Sequence, residues 1–273
     1  MSDDPHTLRL FSSADGETAY VDEGAGAAIV LLHGIGSAAR SWNAQIARLA
    51  SDWRVIAWNA PGYPPSSPLA TDWPSASDYA QRLAALLDSV SIDRCHLVGH
   101  SLGCLMAARY ARLYPARVAS LTLASCAIGH AGLPEDERAR LLASRIDDVM
   151  TLGPLGMAEK RGPRLLGPSD SAQAVASVVQ AMAAVDPHGY AQAARMLSRG
   201  DLIADIEAIP SAIPMQFIYG GADVITPPAV NLRAAAARPG APVTVLDNAG
   251  HAFYVERPGD FSHAIEGFAR QHG

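Results

Sequence analysis

The apolar run Cys95-His96-Leu97-Val98 passes directly into Gly99-His100-Ser101-Leu102-Gly103, and apolar residues then recur at helical spacing from Leu102 to Tyr114. A strand and a helix joined by so short a connection must pack closely, so the residues flanking the serine must lack bulk. A Gly-x-Ser-x-Gly sequence in that setting holds its serine in a strained turn with the hydroxyl exposed, the geometry of a nucleophile.

The rest of the chain repeats the strand-then-helix pattern. Residues 7–12 and 18–22 read as a hairpin turning at Asp15-Gly16. Residues 27–32 form a continuous apolar run, as expected of a strand covered on both faces. Further strands are predicted at residues 54–58, 95–98, 118–124, 215–219 and 243–247, with helices at 41–50, 76–90, 102–114, 229–237 and 259–271. This alternation predicts an α/β fold, a mostly parallel eight-stranded sheet flanked by helices, with ligand sites at the carboxyl ends of its strands. From 128 to 209 there is no strand pattern. That region shows only helical stretches, at 134–150, 171–184 and 189–197, punctuated by Gly and Pro. The expected organisation is therefore a core of residues 1–127 and 210–273 interrupted by a helical insertion at 128–209.

Composition excludes several classes. At 273 residues with 49% hydrophobic and 18% charged side chains, the chain can bury a substantial core. A net charge of −6 gives no electrostatic reason to bind nucleic acid or anionic lipid. No apolar stretch is long enough to span a bilayer. The acidic, polar opening Met1-Ser2-Asp3-Asp4-Pro5 differs from a basic-then-apolar signal peptide. Cys95, Cys104 and Cys126, odd in number and irregularly spaced, suggest buried free thiols rather than a disulfide framework or a metal site. A cytoplasmic protein is expected.

A serine hydroxyl is a weak nucleophile near neutral pH and needs a base, itself oriented by a third group. Asp223 follows the predicted strand at 215–219 within Gly220-Gly221-Ala222-Asp223, and His251 follows the strand at 243–247 within Asn248-Ala249-Gly250-His251. Ser101, Asp223 and His251 thus all fall at carboxyl ends of strands of one sheet. Asp247 and Asp205 compete for the acid's role, but Asp223 has the loop context. Among the histidines, His6, His263 and His272 fall near the termini or on a helix and suit a fixed base poorly.

Together these pieces resemble the α/β-hydrolase superfamily over nearly the whole chain. The matching segments are His33-Gly34, Pro61-Gly62, Gly99-His100-Ser101-Leu102-Gly103, Gly220-Gly221-Ala222-Asp223 with Pro227, and Gly250-His251 with Glu256 and Pro258. The resemblance implies an α/β-hydrolase fold with a helical cap at the insertion. It also implies Ser101 as nucleophile, His251 as general base and then acid, and Asp223 as its orienting residue. The backbone N–H groups of Ile35 and Leu102 would form the oxyanion hole. His33, Gly34, His100, Trp42, Phe253 and Tyr254 are candidates for the substrate pocket. Trp58, Tyr63, Met150, Met157 and Met182 are further apolar candidates.

No cofactor or metal is implied, and the expected partner is a small-molecule ester or lactone. A carbon–carbon bond hydrolase is the second reading, although such enzymes usually carry Trp soon after the histidine, where this chain has Ala252-Phe253. A non-catalytic receptor on the same fold is the third. Two features depart from the family pattern. Asn59-Ala60-Pro61-Gly62-Tyr63-Pro64-Pro65-Ser66 lacks the usual aspartate and should be stiffer, and Cys104 stands where glycine is common. Lys160, Arg161 and Arg164 form the chain's dense basic cluster. A solvated cap surface is favoured for it over recognition of a substrate carboxylate.

Overall fold

Every residue of the apolar run at the heart of this sheet is buried, because helices cover both of its faces. The computed structural model describes residues 5–168 and 171–273, so most of the N-terminal stretch read above for targeting lies outside the described residues. The strands are β1 (Arg9–Ser13), β2 (Gly16–Glu23), β3 (Ala28–Leu32), β4 (Arg54–Trp58), β5 (Cys95–His100), β6 (Val118–Ala124), β7 (Met215–Gly220) and β8 (Val243–Leu246). They form one sheet in the order β1-β2-β4-β3-β5-β6-β7-β8. Only β2 runs against the others, pairing antiparallel with both β1 and β4, and the remaining pairs are parallel.

The helices are α1 (Asn43–Leu49), α2 (Ala76–Ser89), α3 (Leu102–Leu113), α4 (Glu135–Arg161), α5 (Ala172–Ala183), α6 (Pro187–Arg199), α7 (Leu202–Ala208), α8 (Pro228–Ala236), α9 (Phe253–Glu256) and α10 (Pro258–Gln271). The period-two alternation of a strand divides β3 between two cores. Val30 and Leu32 pack with Leu83, Leu86 and Leu105 of α2 and α3, whereas Ile29 and Leu31 pack with Ile46, Phe261 and Ile265 of α1 and α10. No helix of the described residues is long and apolar enough to cross a membrane.

Between β6 and β7 the described residues are helical, with no strand. The spacing predicts a helix ending at residue 150, and the regular helical backbone does end close to there. Gly153, at φ 69° and ψ 171°, lies outside the helical region, so α4 is two helices meeting at a kink, and the second, opening at Pro154, runs on to Arg161. Asp148 clamps the bend, accepting from Lys160 Nζ and from Arg161 Nε at 2.7 Å each. This helical segment is tied to the sheet side by several polar contacts. Gln192 of α6 bonds the backbone of Leu69 and Thr71, the Ala252 N–H donates to Leu165 O at 2.7 Å, and Glu256 accepts from Gly167 N and Gly250 N at 2.8 Å each.

The glycines of the pentapeptide are required by close approach. A Cβ on Gly103 would stand 2.2 Å from Leu32 O, and one on Gly99 would stand 2.5 Å from Gly103 O. Both obstacles are backbone and cannot rotate away. Gly103→Ala is therefore expected to cost at least as much as ordinary overpacking, about 1–3 kcal/mol. Urea denaturation would measure it, and an unchanged midpoint would contradict this account of the β3–β5–α3 junction.

Candidate active site

Ser101 joins β5 to α3 at φ 53° and ψ −116°, a conformation that L-residues rarely adopt. Ser101 N donates to Ala124 O at 2.8 Å, and Ser101 O accepts from Cys104 N at 3.0 Å, so the turn is held from β6 and from α3 together. The Leu102 amide, at the start of α3, has no intrahelical acceptor. Neither it nor the Ile35 amide has a hydrogen-bond acceptor among the described residues. Ser101, Leu102 and Ile35 line the same cavity.

Asp223 lies past the end of β7 and is almost fully buried. Its Oδ1 accepts from the amides of Ile225 and Thr226 at 2.8 and 2.9 Å, an Asx-type turn in which the side chain organises its own loop. Its Oδ2 accepts from Ser125 Oγ at 2.7 Å, from Thr226 Oγ1 at 2.8 Å and from His251 Nδ1 at 2.8 Å. Burial alone would raise the Asp223 pKa. The hydrogen bond and charge of His251, helped by the Ser125 and Thr226 donors, outweigh burial and hold the carboxylate well below its usual range. With Nδ1–H committed to Asp223, the free Nε2 of a neutral His251 is an acceptor, as a general base requires. His251 and Ser101 face one cavity without a direct hydrogen bond between them, a spacing common in unliganded sites.

The two rivals of Asp223 are placed elsewhere. Asp247 is exposed, and Asp205 is buried in an ion pair with Arg109 and Arg112 of α3, at 2.9 and 3.0 Å.

Two other histidines brace the site. The Ala60 N–H donates to His33 Nε2 at 3.0 Å, so Nδ1 carries the proton and donates to Gly34 O at 2.8 Å. Burial lowers His33 to about 4, the bond to Gly34 opposing only in part. His100 Nε2 donates to the His251 carbonyl at 2.8 Å, and burial first, then the neighbouring His251, lowers it to about 3. Both rings are neutral at neutral pH.

Above Ser101 lies a cavity of about 290 Å³. Of the pocket candidates, Gly34, His100, Tyr254 and Met182 line it. His33, Trp42 and Phe253 do not. His33 is occupied by its two backbone bonds, while Trp42 stacks on Phe261 at 6.0 Å and Phe253 packs against the same ring at 4.8 Å, in the core below. Trp58, Tyr63 and Met157 are likewise buried away from the lining, and Met150 is exposed.

Residues 59–66 also stay outside the cavity lining. Asn59 Oδ1 accepts from Ala39 N at 2.8 Å, its Nδ2 donates to Pro64 O at 2.6 Å, and its carbonyl accepts from Ser66 Oγ at 2.7 Å. The Asn59 amide thus pins a loop that meets the site through Ala60, which bonds His33, and through Tyr63, whose ring packs on His33 at 4.7 Å and whose hydroxyl accepts from Gly36 N at 3.4 Å. The basic cluster, expected on a solvated surface, is split. Lys160 points outward, whereas Arg161 and Arg164 line the cavity together with Arg145. Sequence reasoning missed Ser125, Thr226 and Arg145. Thr226, three residues beyond Asp223, is the one local signal of a donor for its carboxylate.

Comparison with known proteins identifies the family to which this fold belongs. The model of the alpha/beta hydrolase family matches residues 29–264. A protein of Variovorax paradoxus named carbamate hydrolase RutD is 32% identical over 89% of this chain and 91% of its own length. An esterase from Thermogutta terrifontis superposes with a TM-score of 0.87 at 25% identity, covering 98% of this chain and 100% of that one. An enol-lactonase from Burkholderia xenovorans shares the fold, with a TM-score of 0.85 at 22% identity over 95% and 99% of the two chains. Running from β3 into α10, and so through every strand end that carries a candidate residue, the match shows that this chain belongs to the alpha/beta hydrolase family.

Proposed function

We propose that the protein is a serine hydrolase that cleaves a small carboxylic ester or lactone through an acyl-enzyme on Ser101. The observation that carries this reading is the buried Asp223–His251 pair and a serine held at positive φ, together lining one cavity. In the first step Ser101 Oγ attacks the carbonyl carbon while His251 Nε2 takes the hydroxyl proton. Asp223 keeps the imidazole in the required tautomer and stabilises the cation that forms. The negative charge on the carbonyl oxygen falls to the Leu102 and Ile35 amides, which need no reorganisation to receive it. Such a donor supplies about 3–4 kcal/mol of transition-state stabilisation.

Collapse of the tetrahedral intermediate expels the alkoxide, which takes the proton from His251. A water activated by the same base then releases the acid. In a lactone the departing alcohol stays tethered to the acyl group.

In this reading residues 128–209 act as a cap that excludes water and supplies most substrate contacts. The Thermogutta relative supports ester chemistry, and the relative named for carbamate hydrolysis adds carbamates to the substrates worth screening. A fluorophosphonate probe tests the proposal. Labelling is expected on Ser101 and is expected to be lost in His251→Ala. Absence of labelling, or labelling that survives His251→Ala, would count against a hydrolase and favour a ligand receptor on the same fold.

A further inference from the structure

The cavity above Ser101 is charged against the sign of the protein around it. The chain carries a net charge of −6, yet the lining includes Arg145, Arg161 and Arg164 and neither Asp nor Glu. Arg161 is already neutralised by Asp148, which Lys160 shares. Arg145 and Arg164 have no ion-pair partner among the described residues. Arg145 extends from the first arm of α4 and is half-buried, and Arg164 follows α4 and is more exposed, so two separate elements direct cations to one space.

Around them the lining is apolar, with Ile128, Leu133, Leu141, Val178 and Met182. A guanidinium half-buried among such side chains has lost hydration without gaining an anion, which costs free energy until an anion arrives. The planar fork of arginine suits a carboxylate, which it can bind through two parallel hydrogen bonds. The low polarity of the walls strengthens that attraction.

Resting on the hydrolase reading above, we propose that the substrate carries a second, free carboxylate held by Arg145 with help from Arg164. The substrate class is then a half-ester of a small dicarboxylic acid, or a lactone bearing a carboxylate. A cavity of about 290 Å³ lies at the lower end of the range for ligand pockets and fits a molecule of that size. Hydrolysis consumes one water and releases an alcohol, free or tethered, together with a second carboxylate. His130 lines the same cavity, and its burial together with the Arg145 charge holds its pKa below the ordinary value. A bound carboxylate would offset that charge and move His130 back up.

The test compares kcat/KM for p-nitrophenyl hydrogen glutarate with that for neutral p-nitrophenyl pentanoate. A second pair, p-acetoxybenzoate and its methyl ester, places the charge on the leaving group instead. In one pair the anionic member is expected to be preferred by about 10-fold or more. Arg145→Gln is expected to lower that preference by about 10- to 100-fold, chiefly through KM, the effect of losing one charge-assisted partner. Arg145→Lys should restore part of it, Arg164→Gln should lower it less, and Lys160→Gln should leave it unchanged.

Anionic esters no better than neutral ones in both pairs, or a preference indifferent to Arg145→Gln, would overturn the inference while leaving the hydrolase reading intact. If neither esters nor the fluorophosphonate react at Ser101, the hydrolase reading fails, and glutarate binding reads the anion site directly. Calorimetric binding, with an upward shift of the His130 ring titration and loss of both in Arg145→Gln, would still uphold the site. Absence of glutarate binding would overturn it.

Discussion

Asp223→Ala is expected to lower kcat by about four powers of ten, with a much smaller change in KM. The size of the effect follows from what the carboxylate holds. Its Oδ2 accepts a hydrogen bond from His251 Nδ1 at 2.8 Å, and the same oxygen is fixed by Ser125 and Thr226. Removing it frees the imidazole to rotate and to place its proton on Nε2, the nitrogen facing Ser101, where the base must be bare. Asp223→Asn preserves the shape but should be nearly as damaging. The site offers donors to both carboxylate oxygens, so the new amide must set its own N–H groups against a donor, and the favoured escape is the wrong histidine tautomer. Steady-state kinetics on p-nitrophenyl esters, with circular dichroism to show that the variants are folded, measures the effect. Near-normal turnover by Asp223→Ala would move the orienting role to another acid. The exposed Asp247 is poorly placed for it, and Asp205 is committed to Arg109 and Arg112.

The contrast between Asp223 and its partners shows which parts of this site can be read along the chain. Ser101, Asp223 and His251 each follow an apolar strand. Burial on both faces fixes where β5 and β7 end, whereas β8 is an edge strand with Val243 and Val245 exposed, and in all three cases position at a strand's carboxyl end carries the functional information. Ser125 also lies at a strand end, but its value depends on reaching a carboxylate 98 residues away. No local pattern encodes that distance.

Side-chain direction at a turn is hidden for the same reason. Trp42 and Phe253 flank the site in sequence, yet the pull of Phe261 turns both into the core. The helical segment between β6 and β7 carries the weakest local signal. The buried positions of α4 are few and irregular, so nothing in its periodicity separates Arg145, which lines the cavity, from Arg138 and Arg140, which do not. Gly153-Pro154 ends one helix and opens another, as its residue types suggest, but the Asp148 clamp that fixes the angle between them comes from contacts that no local pattern encodes. With seven and four residues, α7 and α9 are too short to show a helical period at all. The loop at 59–66 departs from the family pattern, and that departure leaves its part in substrate shape undefined along the chain. In the folded protein its contribution is relayed through Ala60 and Tyr63 to His33 and Gly36.

That relay leads to the second large effect, a steep loss of stability in mild acid. His33 is lowered to about 4 and His100 to about 3, chiefly by burial. In the unfolded chain both would take up a proton near pH 6.5. Below that pH the unfolded state therefore binds more protons than the native one, so stability falls as pH falls. It is fully present above about 6.5 and declines until the folded values near 4 and 3 are reached. At about 1.4 kcal/mol for each unit of difference, the two rings together account for several kcal/mol, a large share of an ordinary domain's 5–15 kcal/mol. Asp223 is held low and acts in the same direction, but only below the ordinary carboxylate range near 4, so the window from 6.5 to 4 belongs to the histidines.

The geometry explains why neither ring protonates in place. A second proton on His33 would set an N–H against the Ala60 N–H and break the brace behind the Gly34–Ile35 turn. Activity and fold should therefore fail together on acidification. Urea midpoints measured from pH 7.5 to 4.5, with histidine ring resonances followed in the folded protein, test this account. A flat stability profile, or His33 and His100 titrating near 6.5 in the native state, would remove the physical basis for assigning them as neutral braces of the site.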